Sequence, residues 1–343
     1  MSVINQNSYI PGFDWVKLLG SMLIVLSHFY LYGIAGELLS TQVIGIMGEV
    51  VPVFFMISGY LMYVSVTSRT QPYRYLLRYI LKYGLVYFVL SFFSVAAVYL
   101  RIYFDMNRFF LKSFLVDLCT LPFHPPFMTQ LWFIPPLLFG LLVNVPVWRK
   151  GWEKPFLWIL IPYTLLVIFF SIYGSHLLPI PFFYRFIQWK SFPEFSYFHM
   201  RLARGVLYVY IGMLAAKHRS FFDSLNLSQI LLPASTVPAL ELTFIKAFGT
   251  TNLSNLGLTA TAVLWSTILF LAVLRIKNQC LRRLHPFITV FSGLSYFFHI
   301  LEANILRPWI TDGLLMFVVV SILNAGISWG ILYLGSRKGK SQR

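Results

Sequence analysis

The feature that most constrains this chain is a succession of apolar runs, each about as long as a bilayer is thick. A membrane-spanning helix needs about 20 mostly apolar residues, and about ten such segments follow one another along the 343 residues. Their approximate limits are 15–34, 43–65, 80–100, 129–147, 156–174, 204–217, 228–245, 257–274, 286–305 and 313–335. The sequence therefore predicts an all-α, polytopic membrane protein with about ten transmembrane helices.

Composition supports a membrane protein. Hydrophobic residues make up 58% of the chain and charged residues 11%, whereas soluble domains carry about 25% charged residues. The 27 Lys and Arg residues outnumber the 11 Asp and Glu residues, but they lie between apolar runs rather than in basic tails. We therefore expect no nucleic-acid partner, no appended soluble domain, and one membrane domain over residues 1–343.

The distribution of basic residues predicts the orientation in the membrane. Cytoplasmic loops retain Lys and Arg, and twice as many of these residues fall on the side of the N-terminus as on the other side. Both termini are therefore predicted to be cytoplasmic. The first apolar run has full length and no small-residue cleavage site follows it, so we expect a true span rather than a cleaved signal peptide.

Ionisable residues within the predicted spans are the first candidates for function. Each costs about 2.5 to 3.5 kcal/mol on insertion scales, so such residues usually have a purpose. They are Lys17, His28, Glu241, His299 and Glu302. In a regular α-helix at about 100° per residue, Lys17 and His28 return to within about 20° of the same face. Snorkelling of Lys17 and structural packing of His28 are the alternatives.

Two further groups in the spans have both a functional and a structural interpretation. His299 and Glu302 lie three residues apart and are neighbours on a helix face, where a carboxylate orients an imidazole. A structural hydrogen bond to another helix explains them equally well. Ser58 and Gly59 either contact substrate or permit close helix packing, and packing is favoured.

Several short motifs, in a fixed order, resemble those of the acyltransferase-3 family of membrane acyltransferases. The first is a basic residue, ten residues and then His, represented by Lys17 and His28, where most members carry Arg at the first position. The others are the aromatic pair and Ser-Gly within 51–60, the basic pair Arg74 and Arg78, Leu-Trp-Phe at 131–133, and the Ser-Tyr helix within 294–299 that ends in His299.

This resemblance implies an O-acyltransferase. Family members move an acyl group, commonly acetyl from acetyl-CoA, onto hydroxyls of cell-surface glycans. We therefore expect an O-acetyltransferase of the bacterial inner membrane that acts on a surface glycan or its lipid-linked precursor. His28 and His299 are the predicted catalytic residues, because imidazole serves near neutral pH as a base or as an acyl carrier. General-base and acyl-His mechanisms both remain open.

The donor carries several phosphate charges, which basic side chains bind through charge-assisted hydrogen bonds. Arg74, Arg78 and Lys82 are spaced to lie on one face of a helix end, and Lys17 is placed at the mouth of a path toward His28. We predict that these four residues bind the acyl-CoA donor. The alternative is that the group on 74–82 serves only to orient the protein in the membrane.

Two other functions remain alternatives: a polysaccharide exporter or flippase, and a non-enzymatic subunit of a surface-polymer assembly. The ionisable residues of the first span favour the enzyme over both. No metal-ligand spacing is present in the sequence, so no bound metal is expected.

Overall fold

The computed structural model describes residues 9–31, 50–121, 129–173, 192–248 and 259–341, and over these residues the chain is helical, without β-strands. The first helix, α1, runs from Pro11 to Leu31 in four pieces. The others are α2 (Val50–Thr67), α3 (Pro72–Met106), α4 (Leu111–Thr120), α5 (Ile134–Arg149), α6 (Glu153–Tyr173), α7 (Phe192–Lys217), α8 (Arg219–Ser224), α9 (Leu227–Phe248), α10 (Ala260–Arg275), α11 (His285–Leu306) and α12 (Gly313–Ser341). Short 3₁₀ turns at Thr129–Phe133 and Arg282–Leu284 precede α5 and α11. The described part of the chain is all-α, as predicted.

Six of the described segments are long and apolar enough to cross a membrane. They are Pro11–Phe29, Val50–Thr67, Pro72–Phe104, Leu131–Arg149, Arg282–Leu306 and Gly313–Gly335. Each coincides with one of the predicted spans, although 32–34 and 43–49 of the first two lie outside the described residues. The other four predicted spans coincide with α6, α7, α9 and α10, which are not among the six. A multi-pass protein is confirmed, while the count of about ten and the orientation stay predictions.

Local sequence explains where several helices begin and end. Pro11, Pro72, Pro135 and Pro286 stand in the first turns of α1, α3, α5 and α11, where the missing N–H costs no helical hydrogen bond. Asn107 ends α3 with a φ of 50°, and asparagine is one of the few residues that enter this left-handed region readily.

Contacts divide the described residues into two compact units. The central unit consists of those within Phe55–Val263, and the α1 unit of those within Asn7–Phe54 and Leu264–Arg343. Most of α2 and all of α3 to α9 belong to the central unit. α1, α11, α12 and most of α10 belong to the α1 unit.

Glycines hold the central unit together by close backbone contact. A methyl group on Gly59 of α2 would lie 2.3 Å from the Val209 carbonyl oxygen of α7, and one on Gly212 of α7 would lie 2.0 Å from that of Met56. Gly140 of α5 meets the Gly205 carbonyl in the same way, at 2.3 Å. Small residues permit such approach between membrane helices, so packing explains Gly59, as predicted.

The α1 unit packs one face of α11 inward. Its buried residues recur every three or four positions: Ile288, Phe291, Ser295, His299 and Ala303. Ala303 joins a buried cluster with Val25 of α1 and with Met316 and Val320 of α12. This spacing is that of one helix face, and it brings the polar Ser295 and His299 into the interior with the apolar residues.

Candidate functional site

Two histidines of the α1 unit lie side by side. The ring centroids of His28 in α1 and His299 in α11 are 5.1 Å apart, with the rings tilted by 38°. Phe29 contacts the same His299 ring edge-on, with centroids 5.9 Å apart. His28 is half-buried and His299 is 0% exposed. The two residues predicted to be catalytic, 271 positions apart in the chain, are therefore neighbours in the fold.

The hydrogen bonds of His299 determine which ring nitrogen is available. His299 Nδ1 lies 2.6 Å from the carbonyl oxygen of Ser295, one helical turn earlier. A carbonyl only accepts hydrogen bonds, so Nδ1 must carry the hydrogen and donate. His299 Nε2 is buried and makes no hydrogen bond within the described residues. In the neutral ring this nitrogen bears the lone pair, which suits it to accept a proton.

The first helix departs from regular geometry at both of its candidate residues. Lys17 lies in a π-helical segment, Val16–Gly20, and His28 in a second, Ser27–Leu31. Such segments are rare and occur frequently at functional sites. A π-turn contains more residues than an α-turn and rotates less per residue. The regular 100° count therefore does not apply, and it no longer places Lys17 and His28 on one face.

Glu302 forms the structural hydrogen bond that the sequence left as an alternative. Asn324 of α12 donates through Nδ2 to Glu302 Oε2 at 2.7 Å and to the Val320 carbonyl at 3.0 Å. Both of these oxygens are acceptors, so the NH₂ group of the Asn324 amide must face them. Oδ1 therefore lies on the other side, where it is buried and makes no hydrogen bond within the described part of the chain. Sequence analysis missed Asn324, although a lone amide in the last apolar span was a signal.

Glu241 also has a structural role. Its two carboxylate oxygens accept hydrogen bonds from the backbone N–H groups of Ala260 and Thr261, at 3.1 and 2.9 Å. These are the first residues of α10, whose N–H groups have no partner within the helix. Glu241 therefore caps α10, and an anion is favourable at that helix end.

A second polar cluster of the α1 unit lies where α1 and α11 begin. Asp14 is 1% exposed, and its carboxylate accepts from His285 Nδ1–H at 2.8 and 2.9 Å and from the Tyr9 hydroxyl at 2.8 Å. Arg282 lies over the Tyr9 ring, with Cζ 5.7 Å from its centroid. Burial and the contact with Asp14 raise the pKa of Tyr9 to about 12, so the hydroxyl keeps the proton that it donates.

The predicted donor-binding residues fall in both units. Arg74, Arg78 and Lys82 are exposed on α3 of the central unit, and their spacing on one continuous helix confirms that they share a face. Arg74 donates to the Gln71 side chain at 3.3 Å. Lys17 is half-buried in the α1 unit, one turn from Asp14. Their binding of a donor stays a prediction.

The family of the chain follows from comparison with known families. A family model described as an acyltransferase domain, that of the acyltransferase-3 family, matches residues 10–333. The chain belongs to the acyltransferase-3 family. It is accordingly a multi-pass membrane acyltransferase. No curated protein and no solved structure gave a significant match.

The remaining motifs of this acyltransferase-3 protein lie in packed parts of the central unit. The aromatic pair of α2 includes Phe55, which is fully buried. Its ring meets Phe133 edge-on with centroids 5.2 Å apart and stacks on Tyr208 at 6.5 Å. Trp132 receives two guanidinium groups from α7, those of Arg201 and Arg204, at 5.3 and 5.7 Å. These contacts give the motifs a structural role, with the indole held by cation–π interactions.

Among the residues that the structure describes, no three His, Cys, Asp or Glu side chains lie together as a metal site requires. That this acyltransferase holds no metal stays a prediction.

Proposed function

We propose that this protein is an O-acyltransferase of the bacterial inner membrane that moves an acetyl group from acetyl-CoA to a hydroxyl of a cell-surface glycan or its lipid-linked precursor. The observation that supports this most directly is the contact between His28 and His299, with a buried imidazole nitrogen that makes no hydrogen bond in the described chain. Family membership supplies the reaction class. Ten spans and two cytoplasmic termini complete the proposal.

In this proposal, His28 removes the proton of the acceptor hydroxyl while the oxygen attacks the thioester carbonyl. The tetrahedral intermediate then expels the CoA thiolate, which takes up a proton from the His28 imidazolium. The products are an ester and free CoA thiol. His299 Nε2 lies beside this ring, accepts the proton from the His28 imidazolium and returns it to His28 before the thiolate is protonated, while the His299 Nδ1–H stays on the Ser295 carbonyl. On α3, Arg74, Arg78 and Lys82 bind donor phosphates.

The test is transfer of labelled acetyl from acetyl-CoA into glycan by membranes that contain wild-type protein or His28→Ala at matched expression. Incorporation by the wild type alone supports the proposal, and equal incorporation by both excludes His28. Incubation without acceptor separates the two mechanisms, because an acyl-His intermediate leaves label on the protein. Glycan movement across vesicles without any acetyl transfer would instead support the exporter.

A further inference from the structure

The polar cluster at the beginning of α1 and α11 has a spatial relationship to the histidine pair. Asp14 contacts His285 at one end of the two helices, and His28 contacts His299 further along. The same number of residues, fourteen, separates the two contacts on each helix. α1 and α11 therefore run side by side in the same direction and in register.

The distance between the two contacts matches the length of the donor from its phosphates to its thioester. In α11, a continuous α-helix, fourteen residues rise about 21 Å. Acyl-CoA has its phosphates at one end and its thioester at the other, and the phosphopantetheine arm that joins them has a comparable length when extended. A phosphate group bound at the cluster would therefore leave the thioester near His28 and His299.

The cluster carries positive charge on its accessible side. Asp14 is buried and already accepts hydrogen bonds from Tyr9 and His285. Arg282 and Arg283 are exposed in the turn that precedes α11, and the His285 side chain is 47% exposed. Lys17 lies one turn beyond Asp14 on α1. Arg282, Arg283 and Lys17 lie toward the side of the membrane that is predicted to be cytoplasmic, where acyl-CoA is made.

The guanidinium of Arg282 is also held in position. It lies over the Tyr9 ring, and the hydroxyl of that ring is fixed by its hydrogen bond to Asp14. A guanidinium that is oriented in advance loses less freedom when it binds a phosphate with two parallel hydrogen bonds. His285 is anchored to Asp14 through Nδ1, so Nε2 is directed away from the buried carboxylate and donates to a phosphate oxygen in the imidazolium form, in which both ring nitrogens carry hydrogen.

We propose that Arg282 and His285, positioned by Tyr9 and Asp14, form a subsite for a phosphate group of the acyl-CoA nucleotide, at the distance from the histidine pair that the phosphopantetheine arm spans. This inference rests on the proposed function, because it names the part of the donor that the α1 unit recognises. It concerns residues to which neither the motifs nor the family match assigns a role.

The first test measures binding without catalysis. Adenosine 3′,5′-bisphosphate, which carries nucleotide phosphates but no thioester, is titrated calorimetrically into purified full-length protein in nanodiscs. We expect Arg282→Gln and His285→Gln each to weaken binding about tenfold, the loss of one charge-assisted contact. Lys277→Gln, which removes an exposed charge from the same loop, should bind like the wild type. Equal weakening by Lys277→Gln, or no weakening in Arg282→Gln, would overturn the subsite.

The second test uses two donors. The KM for acetyl-CoA should rise about tenfold in Arg282→Gln, whereas the KM and kcat for acetyl-pantetheine, which lacks phosphates, should stay at wild-type values. An equal rise for both donors would show general damage and refute the subsite. If wild-type protein transfers acetyl from neither donor, the proposed function fails, and the bisphosphate titration still decides the subsite.

Discussion

Asp14 and His285 are separated by 271 positions in the chain, yet the His285 ring donates to both oxygens of the Asp14 carboxylate. The pair joins the beginning of α1 to the beginning of α11. Because Asp14 is 1% exposed, its carboxylate depends on protein donors in place of water.

Replacement of Asp14 by Asn should therefore destabilise the protein. The loss of the charged acceptor for Tyr9 and His285 is expected to cost about 1–3 kcal/mol, measured by thermal unfolding in detergent. Asp223→Asn is the matched control, since the Asp223 side chain is 48% exposed and pairs with Arg219 one turn earlier in α8, so its loss should cost less than about 1 kcal/mol. Equal effects of the two variants would contradict the structural role of Asp14.

Two amide substitutions test whether His299 Nε2 acts as a base. His299→Asn retains a donor close to Nδ1 and deletes Nε2, whereas His299→Gln places an amide near Nε2. If Nε2 accepts a proton during transfer, both variants should lose about 10²-fold or more in kcat, because neither amide is a base. Acetyl transfer and thermal unfolding are measured together. A stable and fully active His299→Asn would remove His299 from the chemistry.

Gly59 and Gly293 offer a matched pair of glycine substitutions. A methyl group at Gly59 meets the Val209 backbone at 2.3 Å, whereas one at Gly293 meets nothing within 4 Å. Gly59→Ala should therefore destabilise the central unit by about 1–3 kcal/mol. Gly293→Ala should be neutral or stabilising by up to about 1 kcal/mol, owing to its higher helix propensity. Equal thermal unfolding temperatures for the two variants would contradict the close packing of α2 on α7.

The ion pair between Glu153 and Lys217 should make stability depend on pH. Burial raises the pKa of Glu153, but the hydrogen bond and charge of Lys217 outweigh it and hold the pKa below its ordinary value. Because the Glu153 pKa is lower in the folded than in the unfolded protein, the ionised carboxylate stabilises the fold at pH values above the unfolded pKa of about 4.3. This stabilisation is lost as the pH falls through the lower, folded-state pKa.

Glu153→Gln removes this contribution. Because the Lys217 side chain is 37% exposed, the wild type should exceed the variant by less than about 1 kcal/mol at neutral pH. Thermal unfolding at a series of pH values should show the difference shrinking below about pH 4. A difference that grows on acidification would have the wrong sign for this pair.

The two cysteines, Cys119 and Cys280, test the orientation. Both are free thiols and exposed in the structure. With cytoplasmic termini and ten spans, Cys119 lies outside and Cys280 inside. A membrane-impermeant maleimide added to intact cells that expose the inner membrane should label Cys119 and leave Cys280 unlabelled, with single Cys→Ser variants as controls. The reverse labelling pattern would invert the topology.

The sequence predicted helices better than it predicted their ends. Hydropathy placed the third span at 80–100, but α3 runs from Pro72 to Met106, because polar residues continue a helix outside the apolar window. For the same reason, the short predicted span 204–217 is the last part of α7. The stretch between the predicted spans 80–100 and 129–147 also contains a helix, α4.

The sequence predicted those site residues that belong to motifs. It did not predict contacts between residues that are far apart in the chain. Spacing and resemblance identified His28 and His299 separately, but only the packing of α1 on α11 shows that they touch. Asp14 was not among the predicted residues, since nothing in the sequence connects it to His285. The orientation of the Asn324 side-chain amide follows from the two groups to which it donates. No sequence pattern identifies those two groups.

The π-turns of α1 have a consequence for how positions in this helix are compared. Each turn at Val16–Gly20 and Ser27–Leu31 takes up an additional residue. Residues beyond the first π-turn are therefore rotated less about the helix axis than a count of about 100° per residue predicts. A spacing of ten residues between a basic residue and a histidine describes separation along the chain, whereas the angle around the helix axis determines which side chain meets His299. Two homologous helices with equal spacing and different numbers of π-turns would present different residues at that position.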